Sequence, residues 1–306
     1  MYIESDCNPL VSVVIPSYNR AHLLLKTIES VLMQRIASLE IVVADDGSTD
    51  NTKDIIKQLQ LIYPFVSYVE NAVNLGEAAA RNLGIKNAKG KYLAFLDSDD
   101  EWLENKLSLQ IDFLEKNFSE YDAVATNYYL VDSNGQKEEV VSWFPKKPLT
   151  SLNLLKYGCN VSFGSTVCVR RDVFDSIGFL DESLPIFVDL DWLCRFCEKG
   201  FKMAKIEQCL VNYNKAPMRR GEFLEEGVVA FKKINFSLLS SFSLKDRFYI
   251  QSQFYNYVSL AYLPHGPFNK FFKSRMLHFL FNPFRHIGNY WHFFKVVTQH
   301  FLRKSI

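Results

Sequence analysis

The chain has 306 residues, 48% of them hydrophobic and 23% charged, with a formal net charge of +1. That size and balance support a buried core, which excludes a disordered segment and a small disulfide-stapled domain. The near-zero charge conceals an asymmetry: eight Lys or Arg and no Asp or Glu follow Asp246, leaving −7 on residues 1–246, so two regions with different surroundings are expected.

In chain order, residues 10–15 (LVSVVI), 39–44 (LEIVVA), 65–69 and 92–96 read as strands. Their continuous β-branched and aromatic character suits strands covered on both faces. Leu24, Ile28, Val31 and Leu32 share one helical face, as do Ile55, Ile56 and Leu59 after the cap oxygens of Ser48, Thr49 and Asp50. Leu75, Ala79 and Leu83 predict a third helix, and Leu103, Leu107, Gln110 and Leu114 a fourth. Strand and helix alternating at this rhythm predict an α/β fold, a mostly parallel sheet flanked by helices.

Beyond residue 122 the rhythm changes. A strand is expected over 123–131, a turn at 132–135 and a loop around Pro145 and Pro148. A helix over 152–157, a strand over 163–170, helices over 171–177 and 191–198 and an extended run over 201–206 follow. The last 60 residues read as helical and aromatic.

Ligands bind open parallel sheets at the carboxyl ends of the strands. Three polar clusters sit at such ends: Pro16-Ser17-Tyr18-Asn19-Arg20, Asp45-Asp46-Gly47-Ser48 and Asp97-Ser98-Asp99-Asp100. On an extended segment Asp97 and Asp99 would leave the same face, with Cβ atoms about 6 to 7 Å apart. Carboxylates alone repel a diphosphate, so an acidic phosphate site implies a divalent ion, Mn²⁺ or Mg²⁺. Arg81 would face a phosphate or pair with one of these acids. Gly84 and Gly90 are expected to turn the backbone. There is neither a GxGxxG after the first strand nor a GxxxxGK[ST].

Six cysteines are too few for a disulfide scaffold, and Cys194 and Cys197 read as ordinary thiols rather than zinc ligands. A reducing, cytoplasmic setting follows. The acidic start MYIESDCN does not read as a signal peptide, and no run of 18 apolar residues predicts a membrane span.

The strings VSVVIPSYNR, IVVADDGSTDNT, NLGEAAARNLGIKNAKGKYLAFLDSDDEW, STVCVRRDVFDSIGFLDESL and FVDLDWLCRFCEKG, in this order, resemble the family 2 glycosyltransferases of GT-A fold. The resemblance implies a catalytic domain over residues 1–211, with a nucleotide-sugar half to about residue 120 and an acceptor half over 121–211. Pro16, Ser17 and Tyr18 would line the base pocket, and Asp46 or Asp45 would bond the base or ribose, with Arg81 near the nucleotide. Asp97, Ser98 and Asp99 form the DxD motif, Asp97 toward the ribose and metal shell and Asp99 on the metal. The expected reaction is inverting transfer from a nucleotide sugar, by default a UDP-sugar, to a hydroxyl of a glycan or lipid-linked saccharide.

In the second half, the family's Glu-Asp pair before a helix corresponds to Val188 and Asp189. The missing acid at Val188 leaves Asp189 and Asp191 as rival general bases. It also keeps open a catalytically silent sugar-nucleotide or glycan-binding protein. A sugar nucleotidyltransferase would share the acidic layer, but its glycine-rich basic loop is missing.

Residues 212–306 form a basic, aromatic-rich C-terminal region with no family resemblance. Nine Phe, four His and seven Lys or Arg fall within 267–306. Two readings stand: an amphipathic element on an anionic membrane surface, broken at Pro283 and Gly288, or core and homo-oligomer packing. Nucleic acid is not expected as a partner.

Overall fold

The structure, a computed structural model, describes residues 8–140, 149–158, 161–214, 221–262 and 268–281. The loop expected at Pro145 and Pro148 and the breaks expected at Pro283 and Gly288 lie outside them. The chain divides into two compact units, Met1–Pro217 and Met218–Ile306.

The first unit opens with the expected alternation: β1 (Val11–Ser17), α1 (Ala21–Leu32), β2 (Leu39–Asp45), α2 (Thr52–Ile62), β3 (Val66–Glu70), α3 (Glu77–Asn87) and β4 (Tyr92–Phe95). Next come β5 (Glu101–Trp102), α4 (Lys106–Lys116), β6 (Ala123–Val131), β7 (Lys137–Val140), α5 (Ser151–Tyr157), α6 (Phe163–Thr166), β8 (Cys168–Arg170), α7 (Arg171–Ile177), α8 (Val188–Glu198) and β9 (Met203–Asn214). Among the described residues the sheet order is β3-β2-β1-β4-β8-β6-β9-β5, with β7 beside β6. The strands β3, β2, β1 and β4 run parallel, and the second half mixes directions: β8 is antiparallel to β4 and β6, β9 is parallel to β6, and β5 is antiparallel to β9.

Helix α1 buries Ala21, Leu24, Thr27, Ile28 and Val31, the stripe its spacing predicts. Asp50 caps two helix starts at once: Oδ1 accepts from the Thr52 amide at 3.1 Å and Oδ2 from the Ala21 amide at 3.1 Å. Helix α3 lies close on the sheet because Gly84 has no side chain; a Cβ there would stand 2.4 Å from Val14 Cγ1 and 3.2 Å from Ala44 Cβ. Gly84 and Gly90 therefore serve close approach rather than the backbone turning expected of them, for a Cβ on Gly90 would stand 2.5 Å from the Ser12 nitrogen.

Two helices start later than the spacing suggests. The Leu75 and Gly76 amides are drawn to the Asp46 carboxylate, so α3 begins at Glu77 and Leu75 is exposed. The Leu103 amide donates to the Leu210 carbonyl at 2.9 Å, which keeps that residue out of α4. The strand expected over 163–170 is helical over Phe163–Thr166 and extended only over Cys168–Arg170. Its Ser162 carbonyl accepts from the Ser165 and Thr166 amides at 3.1 and 2.8 Å, closing a helical turn.

In the second unit, α9 (Gly221–Ile234), α10 (Phe236–Ser241), α11 (Leu244–Tyr262) and α12 (Phe268–Phe281) are all helical, as expected of this region. No helix among the described residues is long and apolar enough to cross a membrane.

Candidate active site

Parallel register aligns the strand ends: Ser17 stands opposite Asp45, and Asp45 opposite Glu70. Both Asp45 and Asp46 are buried and used internally. Asp45 Oδ1 accepts from the Ser48 amide at 3.1 Å and Oδ2 from the Tyr68 hydroxyl at 2.5 Å. Burial and the Asp45 carboxylate push the Tyr68 phenol upward, so it stays a donor. Asp46 Oδ1 accepts from Asn71 Nδ2 at 2.8 Å and the Leu75 amide at 3.0 Å, and Oδ2 from the Gly76 amide at 2.7 Å. The pair thus shapes the loops around β2. Pro16 and Ser17 are buried at the end of β1, and Ser17 Oγ has no hydrogen-bond partner; Tyr18 beside them is 44% exposed.

After β4 the chain turns. The Asp100 amide donates to the Asp97 carbonyl at 3.0 Å, so residues 97–100 form a turn, not the extended segment that would send Asp97 and Asp99 off one face. Asp97 Oδ1 accepts from Arg81 Nη2 at 2.7 Å, while Asp99 Oδ2 lies 3.8 Å from Arg20 Nη2. The Ser98 carbonyl accepts from Thr27 Oγ1 at 3.0 Å. Burial pushes the Asp97 carboxyl up against the pull of the Arg81 guanidinium. Beneath the turn, buried Asp100 accepts from Ser165 Oγ and, at 2.8 Å, from the Asn214 amide; burial and the Asp97 charge raise it to about 8.

Arg81 gathers the site. Its side chain, only 3% exposed, reaches Glu77 Oε1 at 2.7 Å, Asp97 Oδ1 at 2.7 Å and Asp189 Oδ1 at 3.4 Å. These carboxylates hold the guanidinium firmly charged despite its burial. Of the two readings of Arg81, the acid pairing is what the geometry contains. The α6 turn closes over the pair: a Cβ on Gly164 would stand 2.3 Å from Asp97 Oδ2 and 2.5 Å from Arg81 Nη2.

The rival acids of α8 differ sharply. Asp189 keeps 42% of its side chain exposed, whereas Asp191 is buried, accepts from Arg195 Nε at 2.9 Å and forms an ion pair with Arg195 Nη2 at 2.9 Å. Arg195 also donates to the Ile177 and Phe179 carbonyls at 2.7 and 2.8 Å, so Asp191 belongs to a clamp on the loop after α7. Phe187, just before α8, holds a left-handed φ of 65°, uncommon outside glycine.

Glu77, Gly164, Ser165 and Asn214 were not singled out from the sequence, and Asp100 was named only as the last member of the acidic cluster. The cluster Gly164-Ser165-Thr166 carries a turn signal inside an otherwise strand-like run. Asn214 gives no signal because it meets Asp100 through a long-range contact of 114 positions.

Among the described residues no group of three His, Cys, Asp or Glu is arranged to hold a metal. Asp97 and Asp99 nevertheless fit a hard ion bound jointly with a substrate, since Mg²⁺ takes one or two carboxylates, several waters and phosphate oxygens. Arg81 engages Asp97 through Oδ1, and the Asp99 carboxylate meets Arg20 only at 3.8 Å among the described residues.

The family model "Glycosyl transferase family 2" matches residues 12–178. TuaG of Bacillus subtilis, a glycosyltransferase named for teichuronic acid biosynthesis, is 34% identical over 210 residues, 68% of this chain and 80% of its own. The Escherichia coli UDP-Glc:alpha-D-GlcNAc-diphosphoundecaprenol beta-1,3-glucosyltransferase WfaP is 39% identical over 174 residues, 56% of this chain and 64% of its own. A mannosyltransferase of Pyrobaculum calidifontis, solved with GDP-Man and Mn²⁺, superposes with a TM-score of 0.57 at 17% identity, over 92% of this chain and 83% of its own, which establishes the shared GT-A fold. With the family's motifs at the strand ends of that fold, the chain is a glycosyltransferase and belongs to glycosyl transferase family 2.

Proposed function

We propose that this chain transfers a sugar, with inversion, from a nucleotide sugar to a hydroxyl of a lipid-linked saccharide, and that residues 1–211 carry the reaction. The observation that carries the reading is the Arg81 bridge, which ties Asp97 of the 97–100 turn to Asp189 within one cluster. WfaP, whose name gives UDP-glucose as donor and a diphosphoundecaprenol-linked sugar as acceptor, supports a UDP-sugar and an acceptor at a membrane.

Asp99 and Asp97 would hold Mn²⁺ or Mg²⁺. When bound, that ion offsets the charge growing on the departing diphosphate. Ser17 and Tyr18 are the donor-facing candidates at the end of β1. Asp45 and Asp46 support the donor pocket by shaping its loops, since their carboxylates are already engaged. Asp189 takes the proton from the acceptor hydroxyl as that oxygen attacks the anomeric carbon and the nucleoside diphosphate leaves from the opposite face. Its exposure supports this role, and the buried Arg195 clamp argues against Asp191. Arg81 orients Asp97 and Asp189 toward one another.

Val188 supports a second reading, a silent sugar-nucleotide binder, because it replaces the acid expected beside Asp189. A thermal-shift screen of nucleoside diphosphates and their sugars, with and without Mn²⁺, followed by donor hydrolysis, tests both. Mn²⁺-dependent stabilisation with turnover supports transfer; stabilisation without turnover supports the binder; neither effect removes the donor site.

A further inference from the structure

Helix α12 buries three polar side chains beside Phe271 and leaves large apolar ones outside. Ser274, Arg275 and His278 are buried, at 4%, 6% and 1% exposure, whereas Met276 and Leu280 stand 54% and 72% exposed. Phe272 lies four residues before Met276, so Phe272, Met276 and Leu280 occupy one face over about 12 Å. Several inward polar atoms pair across the α11–α12 hairpin. Ser252 Oγ lies 2.9 Å from His278 Nδ1, and Arg275 Nη1 donates to Asn256 Oδ1 and, at 3.4 Å, to Ser259 Oγ. The neighbouring helix adds Phe248 and Leu260 to the exposed apolar residues.

Water favours the opposite arrangement, because apolar burial drives folding and buried polar groups are costly unless paired. Polar side chains paired between two helices, with large apolar ones left outward, suit helices whose outer surroundings are lipid. At 14 residues α12 is about 21 Å long, short of the roughly 30 Å of a bilayer core. It would therefore lie along the interface rather than cross it.

We propose that the Phe272–Met276–Leu280 face of α12 seats this enzyme on an anionic lipid bilayer. Charge selects that occupant: residues 247–306 carry eight Lys or Arg and no acid, with Lys273 exposed beside the stripe. A second copy would bring the same cationic surface against itself, and residues 282–306 are themselves basic. An anionic leaflet attracts such a surface. The inference rests on the part of the reading above that puts the acceptor at a membrane, and not on the donor chemistry.

The test is flotation of the full chain with vesicles of phosphatidylcholine alone or mixed with phosphatidylglycerol, alongside sedimentation in the absence of lipid. The parent should float with the anionic vesicles. Met276→Glu/Leu280→Glu should reduce its partition about tenfold or more. Lys273→Glu, on an exposed side chain, should reduce anionic binding several-fold with an unchanged melting temperature, which keeps the test decisive if the double variant misfolds. Donor stabilisation with nucleoside diphosphate and Mn²⁺ reports separately on the catalytic reading and should be the same in Lys273→Glu and the parent. A parent that stays at the bottom of both gradients overturns the proposal, as does a Lys273→Glu variant that floats like the parent. A lipid-free dimer abolished by the double variant would assign the face to a second copy instead.

Discussion

Arg81 and Asp189 are 108 positions apart in sequence, yet Arg81 Nη1 stands 3.4 Å from Asp189 Oδ1. The same guanidinium holds Asp97 at 2.7 Å. One buried cation therefore couples the acidic turn after β4 to the first turn of α8, and the chemistry proposed for each depends on that coupling.

Asp189→Asn keeps the size and the Arg81 contact but removes the basic oxygen. It should lower transfer by 10² to 10⁴-fold, about 3 to 5 kcal/mol, with donor affinity nearly unchanged. Steady-state transfer with donor binding on the same preparation checks this. Asp191→Ala should act differently, costing about 2 kcal/mol of stability by freeing a partly buried Arg195. Near-parental transfer by Asp189→Asn would remove Asp189 as the base.

Gly164 is expected to tolerate no side chain. In Gly164→Ala the new methyl would meet Asp97 Oδ2 and Arg81 Nη2 at 2.3 and 2.5 Å, displacing Asp97 from its partner. We expect a loss of stability of about 1 to 3 kcal/mol and a fall of about tenfold or more in Mn²⁺-dependent donor affinity, one decade being about 1.4 kcal/mol. Parental affinity in a folded Gly164→Ala would show that Asp97 need not be held by Arg81.

Lys106 is fully buried, with Nζ bonded to Gln110 Oε1 at 2.7 Å and 3.9 Å from the Trp102 ring centroid. Burial pushes its ammonium down to about 7 from the ordinary 10.5. Between those values the unfolded chain binds the extra proton, so stability contributed by the neutral lysine rises as pH increases from about 7 toward 10.5. Lys106→Met should remove on the order of 2 kcal/mol of that rise between pH 7 and 9.5, the Trp102 ring offsetting part of the full shift. Urea denaturation at both pH values reads the difference. An identical pH dependence in parent and variant would mean that Lys106 does not titrate in this window.

The parallel half of the fold was legible because β1, β2 and β4 are continuous apolar runs and α1 repeats a single stripe. Their polar termini marked the candidate site for the same reason, since strand ends are where side chains escape the layers. What the sequence concealed was decided by long-range contacts. Asp46 draws the Leu75 and Gly76 amides out of α3, and residues 97–100 form a turn where alternation alone would predict an extended segment. Asp189 and Asp191 look equivalent in the string VDLD; only Arg195, packed against the 177–179 carbonyls, distinguishes the buried acid from the exposed one. The α12 face was equally hidden, because aromatic and cationic residues at helical spacing fit a core as well as a lipid surface.

The central claim is that Asp99 and Asp97 grip a divalent ion shared with the donor's diphosphate. Calorimetric titration of UDP, and of GDP in parallel, into parent and Asp99→Asn with and without Mn²⁺ tests it most directly. The account predicts that Mn²⁺ strengthens nucleotide binding to the parent about tenfold or more and has little effect in Asp99→Asn. Equal Mn²⁺-supported binding by parent and variant would contradict it.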